Sequence, residues 1–228
     1  MDQSGSMKRR MTTPPPSERG TVRRLPQRAS YEEAVVHSIL DEGLVAHVGV
    51  TVDGQPYVLP MVYGRVGRDL YLHGASVSRL TRQLALGVPV CVTVTLLDGL
   101  VLARSAFHHS VNYRSVVVLG TAVLVTDEAE KTRALEAITD HLLNGRWAEV
   151  RPPNVQEMKA TSVLRLPLVE ASAKVRTGPP RDDEEDLALD CWAGVLPLQL
   201  VARPPENAPE LREGIPPPAY LPKTRAGQ

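Results

Sequence analysis

Hydrophobic positions recur at two spacings along this chain of 228 residues, and the changes of spacing mark its elements. Behind Ser30, the positions Ala34, Val35, Ser38 and Ile39 keep helical spacing, and Gly43 closes the segment. Ser30 and Glu33 have the capping-box spacing that predicts where this helix begins. The spacing then shortens to two. LVAHVGVTV (44–52) predicts a strand, Asp53-Gly54 a tight hairpin turn, and QPYVLPMVYGRV the return strand. Pro56 and Pro60 lack a backbone donor, so the return strand belongs at an edge or a bulge. A turn at Gly64, Gly67 and Arg68 leads into the strand DLYLHG and a small-residue corner at His73, Gly74 and Ala75. A helix carrying Leu80 and Leu84 follows and ends near Gly87. Ser76 and Ser78, at its start, are preferred N-cap types.

The second half repeats these signals. VPVCVTVTL (88–96) is rich in β-branched residues and reads as a strand, Asp98-Gly99 as a turn, and LVLARSAF as extended chain. HHSVNYR (108–114) is polar and irregular. SVVVLGTAVLVTD (115–127) reads as one long strand with a bulge at Gly120. Asp127 and Glu130 form a second capping box. Behind it Leu135, Ile138, Leu142 and Leu143 predict a helix over 128–144, with a further short helix near 154–160. SVLRLPLVEASAKVRTG alternates as one or two strands. DDEEDLALD (182–190) is an acidic surface run, and WAGVLPLQLVA is apolar again. No internal repeat is visible. Strands in short hairpins with a few helices predict a mostly β, α+β architecture: an antiparallel barrel with peripheral helices. Residues 1–29, basic and rich in Pro and Ser, are expected as a disordered tail. The domain is expected over 30–202, and 203–228 as a Pro-rich tail.

Composition narrows the function classes. Hydrophobic residues make up 43% of the chain, enough for a sizeable core. Formal net charge is zero and aromatics are 4%, which argues against a nucleic-acid surface built on charge and base stacking. No apolar run approaches the roughly 18 residues of a membrane span. The N-terminus lacks the apolar segment of a secretory signal. Cys91 and Cys191 lie far apart in unlike segments, so a reducing cytoplasm is the expected compartment. His108 and His109 are adjacent, point opposite ways on an extended chain and lack ligand partners at metal-site spacing, so no metal is expected.

The candidate chemistry gathers at the corner and helix over 69–84. A helix start presents unpaired backbone N–H groups and partial positive charge. With the hydroxyls of Ser76 and Ser78 and the guanidinium of Arg79, it would form a phosphate cradle. An ordinary capped helix with Arg79 and Arg82 in water is the competing reading.

The order of these pieces over roughly 30–176 resembles the pyridoxamine 5'-phosphate oxidase-like superfamily of FMN-binding split barrels, in particular its flavin-nucleotide-binding and nitroimidazole-resistance branch. The resemblance is carried by GLVAHVGVTVDGQPYVLPMVYGRVGRDLYLHGA, by SVSRLTRQL with VPVCVTVTL, and by SVNYRSVVVLGTAVLV. It implies FMN bound at the seam of a homodimer. The backbone of Val58, Leu59, Pro60 and Met61 would face the isoalloxazine ring, and His73 and Gly74 would line the ribityl chain. Ser76, Ser78 and Arg79 would hold the 5'-phosphate. Tyr113, Arg114 and Ser115 match a recurrent segment at the start of a barrel strand. Arg114 is then either a cation near the flavin's anionic edge or half of an interface salt bridge. His73 matches a cleft histidine of the nitroimidazole-resistance relatives, and is either catalytic or structural. The arginine- and histidine-bearing C-terminal segment with which the oxidase proper holds pyridoxal phosphate has no counterpart here, which argues against vitamin B6 synthesis.

Two functions follow. One is an FMN-dependent oxidoreductase passing electrons to a small acceptor such as a nitro compound or quinone. The other is a non-catalytic module that stores or senses flavin or haem, with histidines as axial ligands.

Overall fold

In a computed structural model of the chain, residues 13–221 are described; Lys8, Arg9 and Arg10 of the basic tail, and residues 222–228, lie outside them. A short strand β1 (Ala29–Ser30) precedes helix α1 (Glu33–Glu42). Strands β2 (Ala46–Val52), β3 (Gln55–Met61), β4 (Tyr63–Val66) and β5 (Asp69–Ala75) lead to helix α2 (Arg79–Ala85). Two long strands follow, β6 (Pro89–Leu102) and β7 (Ser110–Thr121), then the short β8 (Val123–Leu124). Helices α3 (Glu128–Leu142) and α4 (Val155–Ala160) come before β9 (Thr161–Pro167), β10 (Glu170–Arg176) and β11 (Gly194–Pro197). The strands form two antiparallel sheets. One is ordered β1-β10-β7-β6-β2-β3, with β11 added on β6, and the other β4-β5-β9-β8. The result is the expected split β-barrel with peripheral helices.

Period-two alternation explains how the sheets close on each other. Val90, Val92 and Val94 of β6, Val116 and Val118 of β7, and Ala46, Val48 and Val50 of β2 turn inward. There they meet Leu70, Leu72, Leu164 and Leu166 from the second sheet. Helix α1 adds Val36, Ile39 and Leu40 to this core, and α2 adds Leu80 and Leu84. The opposite face of the second sheet is covered by α3, whose Ala134 and Ile138 pack on Tyr71 and Val163. Tyr63 pins α1 to the barrel, because its hydroxyl lies 2.6 Å from the Leu40 carbonyl and 2.7 Å from that of Gly43.

Several local expectations hold. Asp53 and Gly54 both take positive φ (51° and 78°), the backbone that a two-residue hairpin turn between β2 and β3 requires. The proline-bearing β3 is the edge strand of its sheet. Others do not hold. Ser30 is held extended in β1 opposite Ala173, so α1 starts at Glu33 with Glu32 at its N-cap and no side-chain cap. Asp98-Gly99 is not a turn. β6 runs through it with only a register shift between Leu97 and Gly99, because β7 on one side and β11 on the other hold both flanks extended. HHSVNYR joins β7 from Ser110 onward. Gly120 pairs regularly with Val90, and the interruption falls at Ala122, between β7 and β8. The return strand of the first hairpin is two strands, β3 and β4, assigned to different sheets.

Residues 13–29 run against the barrel. The Arg19 guanidinium grips both oxygens of Glu170 at 2.7 and 2.8 Å, and Ser17 donates to the same carboxylate at 2.7 Å. Arg19 first, and then Ser17, hold the Glu170 carboxyl down at about 2. At the other end, the Tyr220 hydroxyl donates to Glu149 at 2.5 Å, bringing the Pro-rich segment back toward the end of α3.

Backbone meets backbone between layers at Gly64 of β4, where an added Cβ would lie 2.7 Å from the Ala137 carbonyl carbon and the Ile138 nitrogen of α3. Helix backbone cannot step aside as a side-chain tip can. Gly64→Ala is therefore expected to destabilise the fold by about 1–3 kcal/mol in denaturant unfolding, the ordinary cost of overpacking.

Candidate functional site

Strand geometry sorts the candidate residues into groups that their numbering hides. Cross-strand partners in register share a face. One row of the first sheet is Val58, Gly49, Cys91 and Leu119; the next is Pro60, His47, Thr93 and Val117. Beyond them lie Thr95 with Ser115, and Leu97 with Tyr113. These residues alternate with the inward valines, so they form the outer face of the sheet, where Val58, Val45 and Leu97 are exposed. Val58, Pro60, Tyr113 and Ser115 are thus placed on one face. Because β3 is the edge strand, alternate amides and carbonyls of its backbone point away from the sheet without a partner strand.

A second group meets where β5 turns into α2. Ser78 is the N-cap of α2, and its hydroxyl accepts from the Thr81 amide at 3.2 Å and contacts the Thr81 hydroxyl. A Cβ on Gly74 would lie 2.8 Å from that Thr81 oxygen and 4.0 Å from the Met61 methyl, so glycine here lets the first turn of α2 close on β5. The Ser76 amide donates to the Ala160 carbonyl at 2.8 Å. Arg79 lies over the Tyr57 ring, 5.5 Å from its centroid, and donates to the Tyr57 hydroxyl at 3.1 Å. The Ser78 hydroxyl is engaged in the turn, whereas among the described residues the Ser76 hydroxyl and the exposed guanidinium of Arg79 have donors to spare. Leu59, opposite Val48, has inward parity at the barrel rim and is exposed.

Arg114 and His73 stand apart from both groups. Arg114 opposes Leu96, has the inward parity of Val116, and sits at the mouth of the barrel. Its guanidinium grips Asp98 at 2.8 and 3.0 Å and both oxygens of Glu42 at the end of α1. Its hydrogen bonds to Glu42 and then Asp98 raise its pKa. Of the two readings of Arg114, the geometry favours a salt bridge, here within one chain. His73 lies opposite Val163 and, one position from Gly74, has the parity of Tyr71; it faces the α3 side of the second sheet and not the Gly74–Thr81 contact. Its Nδ1 is buried without a hydrogen-bond partner, and burial pushes its pKa below 6.5. The result is a neutral imidazole with an unused ring nitrogen, the state in which histidine binds a metal or accepts a proton.

Two arrangements escaped the sequence because they join distant segments. The His108 Nε2 lies 3.1 Å from Asp183, with Asp186 beside them, all within 4.8 Å. His108 and Asp186 lie on short 3-10 helices and Asp183 just before the second, the trio is partly exposed, and His108 already has Asp183 as its partner. The other is a basic cleft around the buried Arg176 at the end of β10. Among the described residues, no helix is long and apolar enough to cross a membrane.

A family model described as pyridoxamine 5'-phosphate oxidase matches residues 32–175. The structure of a flavocytochrome from Azotobacter vinelandii is 44% identical, with a TM-score of 0.85, and the match covers 91% of this chain and 96% of that one. An FAD- and haem-binding protein from Mycobacterium smegmatis is 39% identical, with a TM-score of 0.81 and coverage of 85% and 95%. A putative 5-nitroimidazole antibiotic resistance protein from Bacteroides thetaiotaomicron is 25% identical, with a TM-score of 0.55 and coverage of 64% and 86%. No curated protein matches the sequence.

The lowered pKa of His73 has a consequence for stability. The unfolded chain takes up the proton at about pH 6.5 and the folded chain only at lower pH. Stability is therefore complete above about pH 6.5 and declines as the pH falls from there toward the folded value. Urea unfolding of wild type and His73→Gln across that range is expected to show a decline in wild type that is smaller in the variant.

Proposed function

Because the chain belongs to the pyridoxamine 5'-phosphate oxidase family, we propose that it is a redox protein holding a flavin and a haem, with its electrons delivered to a small acceptor. The observation that carries this reading is the 44% identity, over 91% of the chain, to a flavocytochrome. When bound, the flavin supplies hydride acceptance and one-electron transfer, and the haem one-electron transfer. Everything else falls to the protein.

The unpaired edge of β3 offers backbone donors and acceptors to the polar rim of the ring, while Val58 and Pro60 supply an apolar rest. Arg79, held by Tyr57, meets the phosphate. Tyr113 and Ser115 share the sheet face with Val58 and Pro60 and border the same surface. His73, kept neutral by burial and with Nδ1 unused, would be the residue that holds the haem iron. Arg114 is left a structural role, because Glu42 and Asp98 already take its donors. The flavin is taken as FAD, on the cofactor named for the Mycobacterium smegmatis relative, in place of the FMN that the resemblance implies.

The exposed Val45, Val58 and Leu97 on the outer sheet face support a homodimer that covers this surface and completes the site. The two free cysteines suit a reducing cytoplasm.

The test is the absorbance spectrum of the purified protein, with the flavin identified after release by denaturation. Wild type should carry flavin bands and a Soret band. Arg79→Ala should weaken flavin retention at least tenfold, and His73→Ala should lose the Soret band while keeping the flavin. A Soret band that survives in His73→Ala and disappears in His47→Ala would overturn the axial assignment. By light scattering the protein should be a dimer; a monomer that holds flavin tightly would contradict the placement of the site.

A further inference from the structure

At the end of the barrel away from α2, the chain builds a cleft of about 930 Å³ whose lining includes four arginines: Arg24, Arg28, Arg176 and Arg181. Among the described residues, none of the four is in a salt bridge with a carboxylate, although Asp182 and Asp183 line the same cleft. Both acids already face partners other than these four arginines. Asp182 receives Arg104 at 2.8 Å, and Asp183 faces His108 at 3.1 Å.

Arg176 is the decisive member. It is only 7% exposed, and its hydrogen bonds run to neutral acceptors: the Asn112 side chain, the Gly178 carbonyl at 3.2 Å and the Pro179 carbonyl at 3.3 Å. Its Nε is buried with no partner. A guanidinium buried without a counter-charge is costly, and further arginines beside it add repulsion. Burial, together with Arg28 and Arg181, pushes the Arg176 pKa below its ordinary value. A fold that retains this arrangement gains from an anion carrying more than one negative charge, and arginine forks match phosphate oxygens.

We propose that this cleft is an anion site for a phosphate or diphosphate group, with Arg176 as its floor and Arg28 and Arg181 as its closing arms. It is distinct from the Arg79 corner. Arg176 pairs with Tyr113 on β7, whereas Tyr57, which holds Arg79, lies in the row of Val50, Val90 and Gly120. Seven positions along β7 separate the two rows, roughly 23 Å at about 3.3 Å per residue. The anion has two possible sources: the diphosphate of an FAD, which rests on the flavin reading above and would move the phosphate from Arg79 to this cleft, or a free phosphorylated compound, which leaves the flavin phosphate with Arg79.

Calorimetric titration with inorganic diphosphate distinguishes them, using the full chain both as purified and after removal of flavin. Binding should weaken at least tenfold in an Arg28→Ala, Arg181→Ala double variant, whose changes lie at the rim and spare the buried Arg176. Diphosphate bound equally well with flavin in place points to a free phosphorylated ligand. Diphosphate bound only after flavin removal, with the double variant also losing FAD but not FMN, points to the cofactor's own diphosphate. Absence of diphosphate binding in both states, or equal binding by wild type and a folded double variant, would overturn the proposal. The free-ligand outcome stands whether or not the protein holds flavin or haem, whereas the cofactor outcome requires the flavin.

Discussion

The pairing of β6 with β7 is the constraint on which the other arrangements rest. The two strands, 14 and 12 residues long, are in register from Pro89 opposite Thr121 to Val101 opposite Ser110, with one shift at Leu97 and Gly99. Because side chains alternate, this ladder commits Val90, Val92, Val94, Val116 and Val118 to the core, and Cys91, Thr93, Thr95, Ser115 and Val117 to the outer face. A slip by one residue would exchange the two sets. The same ladder sets the separation of the two ends of the molecule. Tyr57 and Arg79 lie by the Gly120 end, and Arg176 lies by the Tyr113 end.

Polar groups inside the fold divide into satisfied and unsatisfied ones, and the division carries functional meaning. Tyr63 meets two carbonyls, Arg114 meets two carboxylates, and Ser78 caps α2. These side chains complete the architecture. Against them stand the buried nitrogens without a partner among the described residues: His73 Nδ1, Arg104 Nε and Arg176 Nε. Arg104 still holds Asp182 through its other donors. Among the described residues neither His73 nor Arg176 meets a carboxylate, and a bound partner would restore the stability that an unmet group costs. One is a neutral imidazole with an unused ring nitrogen and the other a cation without a counter-charge.

Local signals in the sequence were legible wherever a few neighbouring residues determine the backbone. Asp53-Gly54 adopts the predicted turn, Asp127 caps α3, and the prolines of β3 mark an edge. The barrel could be read from the order of such pieces. Signals failed where a distant strand decided the outcome. Ser30 is drawn into β1 by β10, and Asp98-Gly99 is straightened by β7 and β11. Among the site candidates, Ser78, Arg79, Gly74 and Met61 were adjacent enough in logic to be found together. The run Tyr113, Arg114 and Ser115 was not separable by eye, because alternation places the middle residue at the barrel mouth with Glu42, a partner 72 residues away. Arg176 offered no local motif, since its cleft is assembled from three separate segments of chain.

On the function proposed above, one chain would hold a flavin and a haem that exchange electrons. Anaerobic titration of the purified protein with a reduced nicotinamide, followed by absorbance, tests this most directly. Bleaching of the flavin bands together with a shift of the haem bands, in a fixed ratio per protomer, is the predicted result. Bleaching of flavin in a protein that carries no haem, or haem that stays oxidised while the flavin is fully reduced, would contradict it.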